Sequence, residues 1–445
     1  MLAAGCTAPA ETNKTNKSNN QDIIDKSKED QVDLDVWIIS NTPRTEQVFT
    51  QTMKPFLAER QDINIVVKML SWETAWSDIT TAVATGDGPD IVQLGTTWVP
   101  AIAAMNGLVD LSDRFAKVGK EETYLPASWT TTKISGKSNI YALPWFVEAR
   151  AIIYRKDALQ AAGVDSNTAF DNWDTFKKAL IQLDGVEIDG QKMSALSITG
   201  KNDWNVAHNI FPWVWGAGGK IFSSDGKQAA FNSKDALEGI MYYTGLAQEG
   251  LVDPTSLEKN SIQIENDFAD GKTAMIITGS WMLKDLVTPR DEGGLAGVVD
   301  TNNVAIAALP KGPKERATFI GGSNLSIFHN SEHVEEAWDV IAYLSGNEEA
   351  QFMYAKELGM LPAQQKLLNS SKMKEIPGYI AFAEATQYGR SYPSIPQWGS
   401  AETALVKYFS EIWDLAAEQS ELYNEKAVQA ILDNAAREIN LLMSQ

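Results

Sequence analysis

The residues best suited to chemistry sit at Gly279-Ser280-Trp281, directly after the apolar and β-branched run 273–278. Glycine lets a backbone come close to a ligand, serine adds a hydroxyl, and tryptophan adds a flat apolar face with one N–H donor. A sugar ring presents the complementary pattern, with hydroxyls at its edge and C–H bonds on its faces. The alternative for the same residues is structural, with Trp281 anchoring a core and Ser280 capping a helix. A second group, Asn41, Thr42, Glu46 and Trp72, offers an amide, a hydroxyl, a carboxylate and an indole near two further helix starts. Its structural alternative is helix capping.

These groups share a location only if the surrounding elements bring them together. Asp270-Gly271 reads as a turn, 273–278 as a short buried strand, and Gly279-Ser280-Trp281 as a helix start. Upstream, 33–40 reads as a strand, followed by a helix with Thr42 as its cap and Pro43 as its first residue. A second strand covers 63–70, and Ser71-Trp72 opens a second helix. Gly86-Asp87-Gly88-Pro89 enforces a turn, 90–94 is a strand, and a helix over 96–105 ends at Gly107. This alternation predicts parallel strands with helical crossovers. Ligands of such sheets bind beyond the carboxyl ends of the strands, where Asn41, Thr42, Glu46, Trp72 and the Gly279 turn all fall.

Composition narrows the function classes. The 445 residues carry a net charge of −20, with 44% hydrophobic and 22% charged residues, and the isoelectric point is near 4.6. That length suits two or three domains with a large core. The acidity argues against nucleic acid or an acidic membrane surface as the main partner. Fourteen tryptophans, several beside Gly, Ser, Pro or a carboxylate, exceed what a core needs and point to a recognition surface. One cysteine and three histidines exclude a disulfide framework and argue against a Cys/His metal site, so no metal or cofactor is expected. His329-Asn-Ser-Glu-His333 does spell H-x-x-E-H. Asn330-Ser331 reads as a junction between a strand over 325–328 and a helix from Glu332, however, so a surface turn is expected there.

Cys6 follows Leu2-Ala3-Ala4-Gly5, which resembles the lipobox of bacterial lipoproteins with Ala3 where Leu is more usual. The charged start and long apolar core of a signal peptide are missing, so the sequence reads as clipped at its start. The alternative is a cytoplasmic protein with an incidental cysteine. Residues 7–30 are nearly free of large apolar side chains and read as a flexible tether. No stretch approaches a transmembrane helix in length.

The most distinctive run, 84–113, contains Gly86-Asp-Gly-Pro-Asp-Ile-Val-Gln-Leu-Gly-Thr-Thr-Trp98. It resembles the extracellular solute-binding proteins of carbohydrate ABC importers, the family that includes maltose-binding protein. Further motifs keep that family's order: Ile140-Tyr-Ala-Leu-Pro-Trp-Phe-Val-Glu-Ala-Arg150, Trp173-Asp-Thr-Phe176, Phe268-Ala-Asp-Gly-Lys272 with Gly279-Ser-Trp281, Ala307-Ala-Leu-Pro310 with Gly321-Gly322-Ser323, and Gly359-Met-Leu-Pro362. The resemblance runs from Leu34 to the C-terminus. It implies an α/β, two-lobed periplasmic-binding-protein-like fold of type II, each lobe a mixed, mostly parallel sheet flanked by helices and joined at a hinge. Residues 1–31 would be lipobox remnant and tether, 32–146 with 323–345 the N-lobe, and 147–322 with 346–445 the C-lobe. Crossings are expected near 146–150, 320–324 and 344–349.

The same resemblance assigns site residues. It puts Glu148 in the interlobe cleft as an acceptor for adjacent sugar hydroxyls, with Arg150 on the same strand face. A purely structural ion pair is the alternative for these two. Trp204, His208, Phe211 and Trp215 form one helical stripe; Phe211 and Trp215 are expected in the core, and Trp204 and His208 would face the cleft. Within the loop 388–398, Arg390 and Trp398 are the expected ligand contacts, with Gln397 behind them. Where the family often has an acidic residue after Gln93, this sequence has Thr96-Thr97-Trp98. That departure argues against a maltose-type ligand, and with Trp72 it brings Thr97 and Trp98 into the ligand set for a longer, flatter sugar.

The function implied is that of a lipid-anchored monomer on the extracellular face of the bacterial cell membrane. It would capture an oligosaccharide, of a β-linked plant type such as xylo-, manno- or cello-oligosaccharide, and deliver it to the transmembrane subunits of an ABC permease. The lipid anchor would be its sole membrane contact, and no nucleic acid or chemical reaction is implied. Two alternatives stay open. A surface-anchored glycoside hydrolase would need two catalytic carboxyls about 5 to 10 Å apart. A same-fold binding protein would take a non-sugar solute, such as a glycerophosphodiester or a peptide.

Overall fold

The computed structural model describes residues 31–201, 203–417 and 421–444; Cys6 and the tether lie outside them. The strands are β1 Val32–Ile39, β2 Ile63–Leu70, β3 Ile91–Gly95, β4 Leu143–Ala149, β5 Ala151–Arg155, β6 Glu187–Ile188, β7 Gln191–Lys192, β8 Met275–Thr278, β9 Val304–Ala307, β10 Thr318–Ile327, β11 Leu361–Pro362 and β12 Gly389–Arg390. In β1 every second residue, Leu34, Val36 and Ile38, is fully buried. β3 is buried along its whole length, as a strand covered on both faces must be.

The first sheet has the order β11-β4-β10-β3-β1-β2, with β12 beside β10. β1 runs parallel to β2 and β3, and the helices Thr45–Glu59 and Ala75–Thr85 make the expected crossovers. β10 returns antiparallel to both β3 and β4. The second sheet has the order β8-β5-β9. There β5 is antiparallel to both neighbours. The first sheet is evenly mixed, since β11 is also antiparallel to β4 and only β1–β2, β1–β3 and β10–β12 are parallel; the parallel majority expected in each lobe is therefore not found among the described strands. Parallel pairing near β8 is confined to bridges at Ser194–Thr273 and Ser197–Ile276.

Arg150 alone separates β4 from β5, so one run of chain leaves the first sheet and enters the second. β10 starts at Thr318, pairs with β12 at that end, and reaches β3 at the other. The expected strand over 325–328 is its last part. Gly322 has φ +128°, and a Cβ there would collide with the Phe146 carbonyl oxygen, so only glycine lets β10 lie this close to β4. The ladder is irregular just beyond, between Ser323 and Asn324.

Helix starts differ from expectation. The first helix begins at Thr45 rather than Pro43. Thr42 instead closes the preceding turn: its backbone N–H donates to Thr45 Oγ1 at 2.9 Å, and its hydroxyl accepts from Arg44 N–H at 3.2 Å. The third helix is short, Val99–Ala104, and Asn106 takes the left-handed turn at φ 58°. His329 and His333 flank the turn between β10 and the helix Val334–Gly346 and do not share a helical face. Among the described residues no helix is long and apolar enough to cross a membrane.

Four helices, Asn205–Gly216, Lys234–Gln248, Trp398–Ala417 and Glu425–Met443, bury Trp213, Tyr243, Trp398 and Trp413 in the largest core. The helix Glu348–Leu358, expected in the C-lobe, puts Tyr354 and Leu358 into the core of the first sheet. The Tyr354 ring lies 4.3 Å from that of Trp145 and 5.4 Å from that of Phe146, an aromatic cluster that draws the helix back.

Candidate functional site

Where the chain passes from β4 to β5, Arg150 touches two other expected site residues. An Arg150 Nη donates to Glu148 Oε1 at 3.1 Å, and the guanidinium lies 4.9 Å from the Trp281 ring centre. The carboxyl end of β8 supplies the turn that presents Trp281, whose ring folds over Gly279 so closely that any side chain there would strike it. Trp281 Nε1 donates to Glu265 Oε1 at 2.9 Å, and Thr278 Oγ1 donates to the same oxygen at 2.5 Å. The indole N–H is therefore committed inside the protein, and Trp281 offers a ligand only its ring. Ser280 makes no capping bond, and its buried hydroxyl has no protein partner. Glu148 Oε2 and Arg150 Nε are likewise buried without one. Burial pushes both the Glu148 and Glu265 carboxyls above their ordinary range, and the Arg150 charge pulls each part of the way back.

A second cluster adjoins the first. His208 stacks on Phe319, ring centres 4.1 Å apart, and its Nδ1 lies 2.8 Å from the Tyr392 hydroxyl. Burial, reinforced by the Arg150 charge, holds His208 well below the ordinary imidazole value, so it is neutral. Glu402 Oε1 lies 3.7 Å from His208 Nδ1, while Oε2 accepts from Trp398 Nε1 at 3.1 Å. Burial pushes Glu402 up to about 8.

The first lobe contributes a tryptophan group. Trp98 is almost fully buried, with Trp72 and Trp76 packed against it at 5.4 and 5.5 Å. Trp72 Nε1 donates to Asn41 Oδ1 at 3.2 Å, and the Asn41 side chain also lies beside the buried Tyr354 hydroxyl. The lobes touch around these groups. Pro43 packs on Gly293, Trp76 lies against Gly399, and Ser394 is hydrogen bonded to Thr130 and Ser135. Within the second lobe a small recess next to Arg150, bounded by Asn205, Asn209 and Glu265, measures about 10 Å³, room for roughly one water.

Several expected residues stand elsewhere. Glu46 is exposed on the first helical turn, and Thr42 is absorbed in closing its turn. Arg390 is exposed, ion-paired to Glu315 and set over the Trp215 ring at 5.8 Å, which takes it away from Glu148. Trp398 is wholly buried and stacks on Tyr392 at 4.3 Å, so it is a core residue in this conformation. Thr97 and Trp204 are partly exposed, Trp204 at the N-cap of its helix. Phe211 and Trp215 are in the core, as the stripe requires. Glu265, Phe319, Tyr392 and Glu402 were not among the expected residues. Tyr392 lay within the singled-out loop, but nothing local in the sequence marked the other three.

Comparisons with known proteins bear on family and fold. The model of a family described as bacterial extracellular solute-binding protein matches residues 40–351. A diacetylchitobiose-binding protein of Streptomyces coelicolor is 26% identical over 384 residues, 83% of this chain and 81% of that protein. An ABC transporter solute-binding protein of Thermotoga lettingae, solved with α-D-tagatose, superimposes with a TM-score of 0.78 at 21% identity, covering 92% of this chain and 99% of that one. A Streptomyces glaucescens receptor, solved unliganded and with acarbose, gives 0.77 at 18% identity over 93% and 99%. At these identities the structural matches establish the two-lobed fold.

Proposed function

Because this chain belongs to the family of bacterial extracellular solute-binding proteins, we propose that it captures an oligosaccharide between its lobes and delivers it to the transmembrane subunits of an ABC permease. The observation that carries this reading is the contact set Glu148–Arg150–Trp281 at the passage between the two sheets. A stacking ring there adjoins buried polar atoms, Glu148 Oε2 and Ser280 Oγ, that lack protein partners. Sugar hydroxyls would pair with those atoms while the C–H face of a ring covers the indole. Trp72 and Trp76 on the first lobe, packed against the buried Trp98, favour an extended ligand with several flat rings, in this reading a β-linked plant oligosaccharide. The diacetylchitobiose named for the Streptomyces relative supports an oligosaccharide of some kind.

Loading in this reading is a hinge motion, in which the lobes part to admit the sugar and re-close around it. The passages near 146–150 and 320–324 are the hinge segments in this reading. Cys6 would carry a lipid anchor holding the monomer at the outer face of the cell membrane. Isothermal titration of the purified protein against xylo-, manno-, cello-, chito- and malto-oligosaccharides of increasing length tests the reading, with chromatography of the sugar afterwards. Micromolar or tighter binding of one series, with the sugar recovered intact, is expected. Binding of none, or shortened products, would contradict it.

A further inference from the structure

Glu265 lies outside every motif considered above, yet it holds the edge of the Trp281 ring. It is nearly buried, and two donors converge on its Oε1: the Trp281 indole N–H at 2.9 Å and the Thr278 hydroxyl at 2.5 Å. Its helix, Ser261–Ala269, is fixed in turn by a capping box at Asn260 and by Asp203, which accepts from both the backbone N–H and the hydroxyl of Ser261. The Trp281 ring meets two further restraints, Gly279 beneath it and the Arg150 guanidinium at 4.9 Å. Arg150 also bonds Glu148 at 3.1 Å, so the stacking ring and the hydroxyl acceptor share a single guanidinium. Stacking on a freely rotating indole would require a ligand to freeze that rotation, whereas a ring fixed in advance avoids this entropic loss.

From these contacts we propose that Glu265 is a positioning residue, which fixes the Trp281 ring at its edge and thereby presents a preformed stacking surface to the sugar. The inference rests on the oligosaccharide reading. It adds a consequence for specificity: with its N–H committed to Glu265, Trp281 selects for an apolar ring face and not for hydroxyl configuration. Discrimination between epimers then falls to Glu148, Ser280 and Asn41.

The test uses the full-length protein labelled with 5-fluorotryptophan, the Trp281 resonance being assigned by its loss in Trp281→Phe. Glu265→Gln retains an oxygen acceptor, so the ¹⁹F shift of Trp281 should stay near the wild-type value. Glu265→Leu removes the acceptor, and the resonance should broaden or split while those of the core residues Trp173 and Trp213 stay in place. Should the leucine variant fail to fold, Glu265→Asp, with its carboxylate drawn back, should broaden the same resonance. Titration with cellotetraose, xylotetraose and mannotetraose should show at least a tenfold loss for the leucine or aspartate variant in whichever sugar the wild type binds, and less than a threefold loss for Glu265→Gln. An unchanged Trp281 resonance in both the leucine and aspartate variants would overturn the inference. So would an equal loss of affinity in the glutamine variant. Failure of the wild type to bind any of the sugars would sink the oligosaccharide reading alone, because the ligand-free resonance still decides the role of Glu265.

Discussion

Glu402 is a buried carboxyl whose basic neighbour cannot help it: His208, 3.7 Å away, is itself held neutral. With a folded value of about 8 against an ordinary 4.5, Glu402 keeps a proton that the unfolded chain gives up between those limits. Its contribution to stability is therefore full below about pH 4.5 and is lost as pH rises toward 8, at up to about 1.4 kcal/mol per pH unit. His208 has the opposite sign and acts below its ordinary 6.5, where the unfolded chain takes up a proton that the folded state refuses. Above pH 6.5 Glu402 adds to a decline of the same sign from Asp285, which burial pushes up to about 7, and from the raised Glu148 and Glu265, so melting temperature should fall toward pH 8. Glu402→Gln, which can still accept from Trp398, should flatten the decline; an identical slope in the variant would refute the elevated value. Trp398→Ala should lower stability by about 3 to 5 kcal/mol in chemical denaturation, as truncating a buried indole does. A stability loss below about 1 kcal/mol would place Trp398 outside the core. At this scale the sequence singled out Glu148, Arg150 and Trp281 because they sit in motifs. Glu265 and Glu402 escaped because a lone glutamate on a helix reads as solvent-facing, and only packing from distant segments buries it.

Among the elements, β10 carries the greatest constraint. It joins both lobes, and its glycine pair lets it press against β4 where Glu148 projects. Gly322→Ala faces both a positive φ and a backbone collision with Phe146, and should cost about 2 kcal/mol or more in denaturant unfolding. A variant as stable as wild type would show that β10 does not need this close approach. The regular strands were legible: β2 occupies the residues expected of it, and β1 and β3 lie within a residue of expectation. β10 was seen only in its last part, because Gly321 and Gly322 interrupt the strand signal in its middle. Two-residue strands such as β11 and β12 leave no periodicity to read. Helix starts slipped by two to four residues where side-chain bonds such as Thr45 to Thr42 close a turn ahead of the helix.

For the whole molecule, the ordered motifs made the two-lobed plan readable, whereas the return of the helix Glu348–Leu358 to the first lobe was not. That return depends on Tyr354 meeting Trp145, a contact between residues far apart in sequence. The same helix adds ion pairs near the lobe junction, with Glu357 accepting from Arg44 at 3.3 Å and lying 3.7 Å from Lys284. If the lobes part to load ligand, small-angle scattering of the sugar-free protein should give a larger radius of gyration than the sugar-bound form. Equal radii under saturating sugar would mean that binding occurs without hinge closure.

The most direct test of sugar capture at the lobe junction is a calorimetric titration of wild type and Trp281→Ala side by side with the tightest-binding oligosaccharide. Wild type should bind at micromolar or tighter, and the variant should lose at least about thirtyfold, roughly 2 kcal/mol, while keeping a cooperative melt. Undiminished binding by a folded Trp281→Ala protein would contradict the placement of the ligand on this ring.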